Sequence, residues 1–215
     1  MKKYKHILKN RKDAAIKLMD VIPMQKLKED AWKIVAVSNG GLELASFLKG
    51  KNSLDFLFSE PIYAPNNKEC EIARVTEKEE IVINEELVYS FGIQYDYIYG
   101  EAHRKHEEQI LSSIYQYRKG RPFVSMRDEI VLLVDDGSET GLKFMAALKT
   151  ILGMKPKAVY IAVPVIPADV LELLEPYSDD IYCLHEIGDY VQTSLYYEEF
   201  EDIDEERIEK LLEEK

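Results

Sequence analysis

The residues best suited to chemistry fall in one stretch, Val131-Leu132-Leu133-Val134-Asp135-Asp136-Gly137-Ser138-Glu139-Thr140-Gly141-Leu142-Lys143. Its apolar start predicts a buried strand, and two carboxylates follow at the C-terminal edge. A short Gly/Ser/Thr loop then opens a helix through Phe144, Ala147, Leu148 and Ile151. Free N–H groups at a helix start, with the Ser138 and Thr140 hydroxyls beside them, form a cradle for a phosphate. Gly137 and Gly141 permit the sharp turn and a close approach. Paired acids can accept hydrogen bonds from vicinal sugar hydroxyls or hold Mg2+ through water. A diol binder next to a phosphate binder describes a site for ribose 5-phosphate.

Such a site needs a sheet edge to stand on. Apolar runs suited to buried strands recur at 34–37, 54–58, 130–134, 158–163 and 181–184, with helical periodicity at about 41–49, 139–153 and 167–176. Strands apolar on both faces and alternating with helices predict an α/β fold, a parallel sheet flanked by helices. Ligands of such sheets bind at the carboxyl ends of the strands. From Cys70 to Asn84, short strand-like segments at 72–76 and 81–83 flank the charged turn Glu77-Lys78-Glu79-Glu80, which predicts a hairpin. A long helix over about 95–118 then stops at Lys119-Gly120-Arg121-Pro122. Together these read as an inserted hairpin and long helix, forming a hood or flexible loop over the sheet.

Composition narrows the function classes. The 215 residues are 46% hydrophobic and 32% charged, the balance of one globular domain. A net charge of -12 is the wrong sign for neutralising phosphates, so no nucleic-acid partner is expected. Residues 198–215 hold ten carboxylates against three cations, and this acidic tail reads as a solvated helix end. Two cysteines, Cys70 and Cys183, without CxxC spacing argue against a zinc or disulfide framework. No apolar run approaches the roughly 18 residues that span a bilayer, so no membrane partner and a cytoplasmic location are expected.

The central stretch resembles the phosphoribosyl pyrophosphate signature of type I phosphoribosyltransferases: four apolar residues, two acids, a short variable loop and Thr-Gly. Val37-Ser38-Asn39-Gly40-Gly41 looks like the family's pyrophosphate loop, and Asn10-Arg11-Lys12-Asp13-Ala14-Ala15, Asn84-Glu85-Glu86-Leu87-Val88, Tyr117-Arg118-Lys119-Gly120-Arg121-Pro122 and Ala162-Val163-Pro164-Val165 look like stretches of one bacterial branch. The resemblance covers about residues 8–200. It implies displacement of pyrophosphate from phosphoribosyl pyrophosphate by a nucleobase, such as a purine, or another small nitrogen nucleophile, with Mg2+ as cofactor. Asp135 and Asp136 would anchor ribose and the metal. Gly137, Ser138, Thr140, Gly141 and Lys143 would hold the 5-phosphate, and Ser38, Asn39, Gly40 and Gly41 would face pyrophosphate. The hairpin 70–84, carrying Arg74 and Lys78, would be the mobile loop that closes the site, and a homodimer is compatible with the family.

Departures from the pattern sharpen the reading. Lys143 replaces the signature's last Thr, and Glu139 stands where a small residue is usual. A carboxylate about 4 Å from a bound phosphate would cost about 4 kcal/mol at an effective dielectric near 20, roughly a thousandfold in affinity. Glu139 must therefore turn away from the cradle, and 6-oxopurine phosphoribosyltransferases similarly place an acid there as the proton-handling catalytic group. The altered loops leave a second function open, a regulatory or binding module that senses phosphoribosyl pyrophosphate or a nucleotide without catalysis. His103, His106 and Glu107 read as a solvated helix face, and Tyr196-Tyr197 as packing residues that could offer a ring to a base.

Overall fold

The computed structural model describes residues 7–213. Helices α1 (Arg11–Val21) and α2 (Met24–Glu29) lead into β1 (Lys33–Ala36), α3 (Asn39–Leu48) and β2 (Leu54–Phe56). Strands β3 (Ser59–Ala64), β4 (Asn67–Thr76) and β5 (Ile81–Ile83) follow, then α4 (Glu85–Ser90), α5 (Tyr95–Lys105), a π turn at His106–Ile110 and α6 (Leu111–Arg118). The chain continues through β6 (Ile130–Val134), α7 (Leu142–Gly153), β7 (Ala158–Pro167), α8 (Ala168–Leu174), β8 (Asp180–Ile187) and α9 (Glu205–Glu213).

Five strands form a parallel sheet in the order β2-β1-β6-β7-β8. Successive side chains point to opposite faces, and both faces are buried. Ile34, Ala36, Leu132, Val134 and Ala162 join the core beneath α1 and α3. Val35, Leu133, Ile161 and Val163 join a second core with Phe144, Leu148 and Ile151 of α7. The expected α/β architecture is thus present, with β7 running on through Pro164-Val165.

The inserted segment forms the hood. Strands β4 and β5 make the expected hairpin, and β3, which the sequence pattern did not signal, pairs with β4 to complete an antiparallel sheet. The expectation of a mobile loop at 70–84 is corrected: Ile72, Ala73 and Val75 are core residues. The Thr76 hydroxyl lies 3.0 Å from that of Thr150 on α7. Glu77 at the turn pairs with buried Arg118 on α6. A segment so tied cannot swing without breaking buried contacts. The long helix ends at Arg118 because Lys119 adopts the left-handed conformation (φ 54).

The acidic tail also departs from expectation. Within its described part, up to residue 213, α9 sends Ile208 and Leu211 into the core. It packs on α3 and α6, with Arg207 3.4 Å from Glu43. An amphipathic stripe of Ile208, Leu211 and Leu212 among acids is the reason.

Candidate functional site

In the sheet order, β2 lies on one side of β1 and β6 on the other, so the crevice between the carboxyl ends of β1 and β6 is the topological switch point. Both candidate loops open there. Val37 N–H donates to the Val134 carbonyl at 3.1 Å, and Ser38 then caps α3. The Ser38 hydroxyl accepts from Gly41 N–H at 2.9 Å and donates to Asp135 Oδ1. Gly40 and Gly41 are buried for a packing reason. A Cβ on Gly40 would stand 1.9 Å from Asp136 Oδ2, and one on Gly41 2.6 Å from the Val134 carbonyl. Of this loop Asn39 is the exposed member.

The two acids lie deep and are already partnered. Asp135 is fully buried; its Oδ1 takes Ser38 and the Asp136 N–H, and its Oδ2 lies 2.6 Å from Lys143 Nζ. Asp136 accepts from Arg11 Nε at 2.8 Å through Oδ2, and its carbonyl accepts from the Tyr197 hydroxyl at 2.6 Å. Burial, and then the Asp135 carboxylate beside it, push the Asp136 carboxyl up to about 6. Burial works against the charge on Lys143, but Asp135 and Asp136 outweigh it and hold its pKa above the ordinary lysine value.

These residues do not fit a divalent cation held directly by the acid pair. Hard cations need free carboxylate oxygens at short range. A dication on Asp135 Oδ2 would stand roughly 4 Å from the Lys143 ammonium, a repulsion of about 8 kcal/mol at an effective dielectric near 20.

The turn after β6 stays open, and for that reason α7 begins at Leu142 rather than at 139. Gly141 takes the left-handed conformation (φ 74) and no side chain caps the helix. Among the described residues, no protein acceptor takes the N–H groups of residues 137–141, and the buried Ser138 hydroxyl has no hydrogen-bond partner. Thr140 is exposed beside them, its hydroxyl 3.4 Å from the Leu142 N–H. Open amides and a buried hydroxyl at a helix start make an anion cradle.

Glu139 turns outward, as the repulsion argument requires, and its Oε1 accepts from the Thr193 N–H at 3.1 Å. Thr193 in turn sits against Gly137, where a Cβ would meet its Cγ2 at 2.3 Å. Glu139 therefore pins the 190–197 segment onto the turn. Tyr196 and Tyr197 are buried packing residues and present no ring to a ligand.

A cleft of about 340 Å³ lies between the sheet edge and the hood, lined among others by Ser38, Asn39, Ser59, Glu60, Arg74 and Lys143. Glu139 is not part of that lining. Arg74, on the buried strand β4, is held by Glu71 at 2.7 Å and the Ser59 hydroxyl at 3.1 Å. Lys78 lies away from the cleft, beside Glu80 and Thr150. A separate cavity of about 220 Å³ opens at the N-terminal ends of β1 and β2, away from the acids.

No family model matches the chain. A Mycobacterium tuberculosis H37Rv protein named "Putative phosphoribosyl transferase Rv0571c" is 26% identical over 166 residues, covering 75% of this chain and 37% of that protein. The crystal structure of TT1426 from Thermus thermophilus superposes with a TM-score of 0.73 at 25% identity, covering 95% of this chain and 97% of the other. In sequence the chain is thus similar to part of a putative phosphoribosyl transferase, and in fold to TT1426. It spans little more than a third of the mycobacterial relative's length, whereas it matches TT1426 nearly end to end.

The tertiary structure adds Arg11 to the site, a residue that the sequence pattern placed only within the stretch 10–15 and gave no role. A signal existed: Arg11, Ala14, Ala15 and Leu18 form the buried face of α1, and an arginine on an apolar face requires an acidic partner. Its guanidinium also stacks 4.2 Å over the Phe200 ring and donates to the Glu201 carbonyl at 2.7 Å.

Proposed function

We propose that this chain binds phosphoribosyl pyrophosphate and transfers its phosphoribosyl group to a nucleobase, purines included, or another small nitrogen heterocycle. The observation that carries the reading is the open turn at 137–141, with unspent amides and a buried, unpartnered Ser138 hydroxyl at the switch point of the sheet. Gly137, Ser138, Thr140 and Gly141 would hold the 5-phosphate. Asp136, at 6% exposed, is the acid within reach of a ribose hydroxyl, while Asp135, at 0%, acts on the ligand through Lys143. Lys143, Arg74 and Asn39 line the cleft where charge collects on departing pyrophosphate. Fixed cations there would offset the negative charge that builds on pyrophosphate as its bond to C1 breaks. Phe56, Phe58 and Tyr117 supply an apolar wall for the acceptor ring.

The test is incubation with phosphoribosyl pyrophosphate and a panel of purines and pyrimidines, with and without Mg2+, while following pyrophosphate. Release with at least one base is expected; no release and no binding would refute the reading. A second reading, a non-catalytic sensor of the same ligand, is favoured by one observation: both acids are already paired with cations of the protein itself. Tight binding without pyrophosphate release from any base would decide for it.

A further inference from the structure

We propose that this site takes its sugar phosphate without a divalent metal ion, the ammonium of Lys143 and the guanidinium of Arg11 occupying the acid pair in place of one. The inference rests on the ribose-phosphate reading above and concerns the charge arrangement beneath it. Two carboxylates at the carboxyl end of β6 would ordinarily attract a hard dication. Here each meets a basic side chain of the same chain, Lys143 at 2.6 Å from Asp135 and Arg11 at 2.8 Å from Asp136. Neither cation is loose. Lys143 is the second residue of α7, with its side chain 26% exposed, and Arg11 is held by the Glu201 carbonyl, the Phe200 ring and Glu43 at 3.6 Å, with its side chain 8% exposed.

Of the charged side chains that line the cleft, Lys143 and Arg74 are cations and Glu60 is an acid. Arg74 adds a cation to the cleft wall that Lys143 also lines, although Glu71 holds it. The remaining acid of that wall, Glu60, stands 3.7 Å from Lys105. Among the described residues no cluster of three or more His, Cys, Asp or Glu side chains is placed to hold a metal elsewhere. An incoming ribose phosphate therefore meets the Lys143 and Arg74 cations in the cleft wall, each already held by an acid of the chain. Lys143 is a positioning residue for the acids and the charge that a metal would otherwise supply.

Two measurements test this. Binding of ribose 5-phosphate by calorimetry is expected to agree within about threefold between EDTA and Mg2+. In Lys143→Thr, which frees Asp135, affinity is expected to fall in EDTA by about tenfold or more and to recover with Mg2+. Mn2+ alone, followed by its paramagnetic resonance signal, should remain free with wild type and become bound by Lys143→Thr, or by Lys143→Met if the threonine variant does not fold. Wild-type protein that binds ribose 5-phosphate only with Mg2+, or that retains Mn2+ stoichiometrically by itself, overturns the inference and leaves the proposed function standing. Absence of ribose 5-phosphate and phosphoribosyl pyrophosphate binding under every condition overturns the proposed function instead, and this inference with it.

Discussion

Asp136 shows what burial does to a charged side chain at the site. Its carboxyl is raised to about 6, against an ordinary aspartate value near 4 in an unfolded chain. An acid with a raised pKa holds its proton more firmly when folded, so it favours folding below about pH 4, and that contribution is lost as pH rises to about 6. The stability of wild type relative to Asp136→Asn should therefore decline across that window. Denaturant melts taken from about pH 4 to about pH 7 that gave a constant difference would show the carboxyl to be ordinary. Gly40 makes a steric prediction at the same place. Alanine there would press its Cβ to 1.9 Å from Asp136 Oδ2 and 2.8 Å from Arg11 Nε. The acid–guanidinium pair must yield, at a cost of about 1–3 kcal/mol. An unchanged urea midpoint for Gly40→Ala would contradict that packing.

The hood and the tail make their predictions as elements. The β4–β5 hairpin is fastened by Glu77, whose carboxylate meets Arg118 beneath the Phe58 and Phe123 rings. Glu77→Gln takes from buried Arg118 the carboxylate it is bonded to, leaving only the electrostatic influence of Asp55, and breaking a buried pair in this way costs about 3–5 kcal/mol. Replacing both residues with methionine should recover much of that loss, as measured by thermal melting. Because β4 is part of the core, its amides should exchange with solvent as slowly as those of β6. Rapid exchange at Ala73 and Val75 would return the hairpin to the class of mobile loops. In the tail, Ile208 is 4% exposed and also borders the cleft. Ile208→Ala should cost about 2–5 kcal/mol and weaken ligand binding, which a solvated tail would not do.

For the whole molecule, a ligand that binds only the folded state must stabilise all of it. Ribose 5-phosphate at about a hundred times its Kd should add about 2.7 kcal/mol to the unfolding free energy, and a melting midpoint unmoved by the ligand would deny the site. Much of the architecture was legible in the sequence. Runs such as Ile130–Val134 are apolar at every position, which a sheet covered on both faces demands, and the Gly-rich turn after them marked the ligand edge. Strand β3 was not legible, because Pro61 and the alternating polar residues of Ser59–Ala64 carry little apolar signal until β4 pairs with them. The site divides in the same way. Spacing alone determined that two acids and a run of open amides share one turn, since that follows from neighbours along the chain. Only the tertiary structure decided their charge state and surroundings: Arg11 reaches Asp136 across 125 positions, and Glu139 reaches Thr193 across 54. Such partners meet because the sheet and its crossovers bring distant segments to one edge, a geometry that local residue preference does not encode.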